Sequence, residues 1–214
     1  MSFYINNNNP NRPGPFVGNP QNGLCEKALI EVTKVFDACI TQGTETNLPL
    51  TATGFNPENP TLPLTYISAE SDPTNPATIE NVVITRLTER PNFAQVTGTV
   101  TIPLVITYRD ANGILGTATS TFTTDVNTTL FVPQPSLNPV NITCVGQFTS
   151  QIGTFTEPDT FTVTGCYQII VKVTSLVDLF VPSYGYPTIP PCQATTVSEC
   201  PGFFDRSIYP SALN

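Results

Sequence analysis

From Val96 onward the chain alternates strictly, with Val96, Gly98, Val100, Ile102, Leu104, Ile106 and Tyr108 on even positions. Thr97, Thr99, Thr101, Pro103, Val105, Thr107 and Arg109 take the odd ones. A period of two sends neighbouring side chains to opposite faces of an extended strand, and no helix gathers that even set on one side. Residues 110–113, Asp-Ala-Asn-Gly, are turn formers able to take positive φ. Residues 114–126 then resume the pattern with Thr117, Thr119, Thr121 and Thr123 on one face. The expectation is a long β-hairpin. Pro103 has no amide hydrogen, which predicts a bulge or an unpaired edge position there.

A second alternation sets Phe161, Val163, Gly165, Tyr167, Ile169, Val171 and Val173 against a Thr-rich face that includes Cys166. Residues 25–40 fit two patterns. Ala28, Ile30, Val32, Phe36, Ala38 and Ile40 alternate as a strand would, while Leu24, Ala28, Val32, Val35 and Cys39 make a helical face. The Val, Ile, Thr and Phe in the middle favour the strand. Between residues 48 and 70 the apolar pieces are cut by Pro49, Pro57, Pro60 and Pro63. This predicts edge strands and loops, not central ladders. Residues 78–89 read as a further strand. The string Leu-Phe-Val-Pro occurs at 130–133 and again at 179–182; four residues do not separate duplication from convergence.

Composition agrees. The chain has 34 Thr and 22 Pro among 214 residues, and only 11% of residues are charged, against about 25% in an average domain. About nine strands without a helix predict an all-β chain, an antiparallel β-sandwich or jelly roll. It would occupy residues 25–182, with an extended N-terminal arm over 1–24 and a Pro-rich C-terminal tail over 183–214 wrapping the domain. Lysine, the usual residue for blunting sheet edges, occurs three times.

Several function classes fall away. There is no histidine, so the commonest general base, triad member and metal ligand is missing. Net charge is −8, with three Lys and five Arg, which supplies no basic stripe for nucleic acid or an anionic membrane surface. The longest apolar runs are too short to span a bilayer. Carboxylates such as Glu70, Asp72, Glu80, Asp125, Glu157 and Asp159 are scattered without the local pairing that would suggest glycoside hydrolysis. Asp110 and Asn112 resemble half a calcium loop, but the downstream bidentate Glu is missing, so the turn reading stands. No catalytic residue, metal or cofactor is expected, and the chain reads as a non-enzyme. Tyr184, Tyr186, Phe203, Phe204 and Tyr209 give a rival reading, an adhesin or carbohydrate-binding module, although aromatics in a Pro-rich tail more often anchor it to a core.

The six cysteines are Cys25, Cys39, Cys144, Cys166, Cys192 and Cys200. No two have CxxC spacing, which disfavours zinc and leaves all six as cross-link candidates. On one extended strand Cys25 and Cys39 would stand about 46 Å apart and could not pair with each other. The N-terminus shows no basic or apolar signal region, so the expectation is synthesis in a reducing cytoplasm followed by later oxidation. Residues 1–24 are rich in Asn, Pro and Gly, with apolar patches at Phe3, Tyr4 and Ile5 and at Phe16 and Val17. Such a segment does not order alone. Extended, it reaches up to about 80 Å, past a core of roughly 42 Å diameter, so it can lie along a neighbouring subunit.

Residues 32–40 (VTKVFDACI), 101–122 (TIPLVITYRDANGILGTATSTF), 177–192 (VDLFVPSYGYPTIPPC) and 200–210 (CPGFFDRSIYP) resemble a group of uncharacterised proteins from spore-forming clostridia. Polar arm, β-domain and cysteines together are also similar in plan to the fibre-forming subunits of endospore appendages. In the clostridial group a Cys often follows the SYGY string, where Pro187 stands here, so no disulfide pairing is carried over. The resemblance implies a spore-surface location (appendage, exosporium or coat) after synthesis in the mother cell, with lysis of that cell admitting oxidation. It transfers no enzymatic residue; the arm's reach to a neighbouring subunit gives the expectation of a homopolymer with head-to-tail contacts, with other spore-surface proteins as further partners.

Overall fold

The structure, a computed structural model, describes residues 26–185 together with Asn19, Gln21 and Leu24. Period-two sequences leave a chain few ways to hide their apolar faces, and pairing into a sheet is the one taken. Eight strands follow in order: β1 (Glu26–Thr51), β2 (Thr53–Asn56), β3 (Thr65–Ser71), β4 (Thr78–Leu87), β5 (Arg90–Arg109), β6 (Leu115–Phe131), β7 (Asn141–Thr156) and β8 (Thr160–Ser183). No helix occurs among the described residues. The strands form one antiparallel sheet in the order β1-β8-β7-β3-β5-β6-β2, with β4 paired to β5 beside that path. The chain divides into two compact units. One is Glu31–Val177, and the other comprises the stretches on either side, of which Asn19, Gln21, Leu24, 26–30 and 178–185 are described.

The core lies in the larger unit. The β5–β6 hairpin is in continuous register from Phe93↔Phe131 to Arg109↔Leu115. Its even residues Val96, Val100, Ile102, Leu104, Ile106 and Tyr108 are all buried, as are Phe161, Val163, Ile169, Val171 and Val173 of β8. Each buried apolar side chain contributes about 1.5–3 kcal/mol. The ring of Phe122 on β6 lies 5.1 Å from both Phe148 on β7 and Tyr167 on β8, so the two long hairpins meet through aromatics. On the outer face Thr99 donates to Asp125 at 2.8 Å and Gln95 to Asn127 at 2.9 Å, holding the same register.

The β5–β6 turn is built on Asp110. Its Oδ1 accepts the N–H groups of Asn112 and Ile114 at 2.9 and 2.8 Å, and Gly113 takes φ of 82°. That is the turn expected from the sequence, with its carboxylate spent on backbone donors.

Three findings differ from the sequence expectations. First, β3 lies within the Pro-interrupted stretch yet sits in the sheet interior, between β7 and β5. Pro49 lies in β1 and Pro57, Pro60 and Pro63 in the loop before β3, so all seven residues of β3 keep their donors. Second, Pro103 pairs with Thr121 without a bulge. Its carbonyl accepts from Asp72 N at 2.9 Å, so its nitrogen also points away from β6. On that side β3 ends opposite Leu104 and β4 begins opposite Thr101. The missing donor falls in the gap, so Pro103 is accommodated in an interior strand, with neither the bulge nor the edge position expected. Third, β1 is the expected strand but changes phase. Ala28, Ile30, Val32 and Phe36 are partly buried as expected, whereas Ala38 and Ile40 are exposed and Asp37 and Cys39 take the inward positions. Asp37 drives the switch by bonding β6, as described below. A second change follows Asn47, whose φ is 56°, and leaves Leu50 buried.

Glycines face aromatic rings at several points. A Cβ on Gly116, the ladder partner of Tyr108, would lie 2.5 Å from that ring's Cζ and hydroxyl, and one on Gly43 would lie 2.6 Å from Tyr167. Only a hydrogen fits beneath these rings.

Candidate functional site

Two features of the sequence reading fall on described residues, the thiols and the sheet edges. The arm patches Phe3, Tyr4, Ile5, Phe16 and Val17 lie outside the described residues, as do Cys25, Cys192, Cys200 and the tail aromatics Tyr186, Phe203, Phe204 and Tyr209.

Cys39, Cys144 and Cys166 are unbridged. Cys166 is exposed on the outer face of β8, as its place in the alternation predicted, with Sγ 3.5 Å from Thr44 Oγ1. It opens into a shallow groove of about 530 Å³ lined by β1, β7 and β8. Gln42 Nε2 donates to Gln168 Oε1 at 2.8 Å beside it, and Gln147 and Thr149 face Gln168 and Cys166 from β7. No carboxylate or basic group lines this groove, so the chemistry its residues offer is that of a thiol.

Cys39 and Cys144 are half-buried. Cys39 Sγ lies 3.1 Å from Thr128 Oγ1. Cys144 is opposite Val171 across the β7–β8 ladder, and burial raises its thiol pKa above the ordinary value. The side-chain contacts Gln42–Gln168 and Thr44–Cys166 set β1 antiparallel to β8. Carried three residues further, that register brings Cys39 opposite Val171 as well. The two thiols then flank one strand, about 9.6 Å apart at two strand spacings, beyond the reach of a disulfide. The sequence alone gave no sign of this placement.

The edges differ sharply in how they are protected. β1 carries Lys27, Lys34 and Pro49, residue types that blunt an edge. β2 has four residues and contains Gly54 at φ 59°. The far side of β6 pairs with β2 only at Thr117 and Thr119. Higher up, Asp37 Oδ2 accepts Phe131 N at 2.7 Å and Ser120 Oγ donates to Thr51 O at 2.8 Å. β4 has none of this cover. It is hydrogen-bonded only to β5 and exposes three consecutive apolar residues, Val82 at 36%, Val83 at 57% and Ile84 at 40%. Asn81, at φ 52°, and Val82 together oppose Gly98 as a bulge, after which pairing is regular from Val83↔Thr97 to Arg86↔Ala94. Arg86 is the one basic residue of the strand, and its guanidinium donates to the carbonyls of Pro91, Val132 and Pro133 at 2.6–3.0 Å. It does not guard the edge.

In the smaller unit, Leu29 and Phe180 are exposed, and Lys27, Phe180, Val181 and Pro182 line an open depression of about 500 Å³. The Leu-Phe-Val-Pro strings therefore sit differently: Leu130 and Val132 are buried, Leu179 and Phe180 exposed.

Among the described residues no group of three or more Cys, Asp or Glu side chains is placed to hold a metal ion. Neither a family model nor a curated protein nor a solved structure matches the chain.

Proposed function

We propose that this chain is a self-assembling structural subunit of a bacterial spore-surface fibre or coat layer, joined head to tail by exchange of its N-terminal arm and reinforced by intermolecular disulfides. The observation that carries the reading is the free edge of β4, which is apolar, antiparallel and without lysine. Such an edge adds a strand from another chain, with backbone hydrogen bonds supplying affinity. A head-to-tail contact does not close on itself, so it propagates. We read the meeting of the β5–β6 and β7–β8 hairpins through Phe122, Phe148 and Tyr167 as the interior of a β-sandwich from which the arm and the wrapping tail extend. Exposed Cys166 is the described thiol best placed for a bond between subunits.

The test is deletion of residues 1–24. The full chain should form filaments visible by electron microscopy, and the truncated chain should remain a monomer at the same concentration. Filaments from the truncated chain would overturn arm exchange. A monomer band on both reducing and non-reducing gels of assembled material would remove the cross-links.

A further inference from the structure

We propose that the free edge of β4 from the second residue of its bulge onward, residues 82–87, is the acceptor for residues 2–7 of a second copy's arm. This rests on the arm-exchange reading and names its receiving surface.

The choice of acceptor follows from elimination among the described edges. β1 is blunted by two lysines and a proline, β2 is four residues long, and β6 has an end amide already taken by Asp37. Although Gly146 lies close to Ala77, immediately before β4, the first half of β7 also has no hydrogen-bonded strand on one side, since β3 pairs with it only at Ser150 and Thr149. Its exposed large apolar residue there is the single Val145, against three in a row on β4. An added strand meets side chains from both faces of the edge it joins; β1 also exposes Leu29, Val35 and Ile40, but these are separated along the strand and interspersed with Lys27 and Lys34, whereas β4 offers three consecutive apolar residues across both faces.

The choice of donor follows from the arm's prolines. Pro10, Pro13, Pro15 and Pro20 each remove a backbone donor and disfavour a ladder. The longest proline-free run is residues 1–9, and it contains Phe3, Tyr4 and Ile5. Alternation turns Phe3 and Ile5 to one side and Tyr4 to the other, which matches Val82 and Ile84 on one face of β4 with Val83 on the other. Phe16 and Val17 sit in four residues between Pro15 and Pro20, too few for a ladder. Residues 8–24 then connect donor to body and extend to about 55 Å, enough to bridge to an adjacent subunit. The only charged side chain in residues 1–24 is Arg12, so docking buries no charge on the donor.

Two variants separate donor from acceptor. The first keeps the arm and carries Val83→Lys with Ile84→Lys; the second lacks residues 1–24 and keeps β4. Each alone should be monomeric by light scattering, and mixing them should give a 1:1 complex that grows no further. Both substituted side chains are exposed, and unchanged circular dichroism together with complex formation shows that the first variant is folded. A synthetic peptide of residues 1–9 added to the second variant should slow amide exchange of residues 82–87 by about tenfold or more, leaving β2 unchanged. Filaments from the lysine variant alone would overturn β4 as acceptor while leaving arm exchange intact. Filaments from the truncated variant alone would overturn arm exchange itself. Protection of β4 in the full chain that does not change with dilution would show the arm on its own subunit, and would also overturn the proposal.

Discussion

Tyr108 is fully buried, yet among the described residues its hydroxyl has no hydrogen-bond partner. Burial, with a smaller contribution from the Asp110 carboxylate, raises its pKa above the ordinary value of 10.0. An unpartnered buried hydroxyl costs about 1–3 kcal/mol, and the ring's packing on Phe55 at 5.6 Å and over Gly116 does not need it. Tyr108→Phe should therefore leave stability unchanged or raise it by about 1 kcal/mol in urea unfolding; a loss of more than about 1 kcal/mol would mean that the hydroxyl has a partner. The thiols give a second residue-scale prediction. Cys144 is half-buried with its pKa raised by desolvation, so little of the nucleophilic thiolate is available near neutral pH. Cys166 is exposed. Alkylation of the folded protein at pH 8, followed by peptide mass analysis, should label Cys166 first and reach Cys144 only after denaturant is added. Equal rates for the two would contradict the placement of Cys144.

At the scale of elements, β1 shows how one polar residue can override an apolar pattern. Asp37 Oδ2 takes the terminal amide of β6 at 2.7 Å, while its Oδ1 takes Ala38 N at 2.8 Å. Satisfying those donors turns Asp37 inward and forces the phase change that exposes Ala38 and Ile40. Asp37→Ala should destabilise the fold by about 1–3 kcal/mol and accelerate amide exchange at Phe131, with Asp37→Asn, which keeps an acceptor oxygen, recovering most of the loss. The turn between β3 and β4 is held in a similar way by Asp72, which accepts from Thr74 N at 2.8 Å, Thr74 Oγ1 at 2.6 Å and Asn75 Nδ2 at 2.7 Å. These hydrogen bonds, the Thr74 hydroxyl's first, lower its pKa from 3.8 to about 2. A carboxylate depressed on folding stabilises above its unfolded pKa and loses that contribution as pH falls. The turn should hold at pH 5 and loosen from about pH 4 down through about 2, read from the Thr74 amide shift, and Asp72→Asn should remove the dependence. Long period-two runs made β5, β6 and β8 legible in the sequence, down to the outward face of Cys166, because burial there follows local alternation. What escaped was set by pairing across the sheet. The interior place of β3, the gap that spares Pro103 and the Val171 row between Cys39 and Cys144 depend on which strands become neighbours, and no local pattern encodes that. The exposed edge of β4 was legible only as a shortage of lysine, without an address.

For the molecule as a whole, the proposed contact and the net charge act against each other, and ionic strength separates them. Each subunit carries −8 at pH 7, so copies repel as they approach. The screening length is about 30 Å at 0.01 M salt and about 8 Å at 0.15 M. At low salt the repulsion extends over most of a subunit of roughly 42 Å, and at physiological salt it does not. The proposed donor segment contains no charged side chain and the acceptor presents Val82, Val83 and Ile84, so the proposed contact has no ion pair for salt to weaken. Raising salt from 0.01 to 0.15 M should therefore shorten the lag and speed the growth of light scattering. Lowering the pH toward the pI of about 4.3 should act in the same direction by removing charge, while the β3–β4 turn is still largely intact. An assembly held by charge pairing would respond in the opposite sense, dissolving as salt is added. Filaments that disperse at 0.15 M salt would thus rule out an apolar strand contact as their principal joint, whichever edge receives the arm.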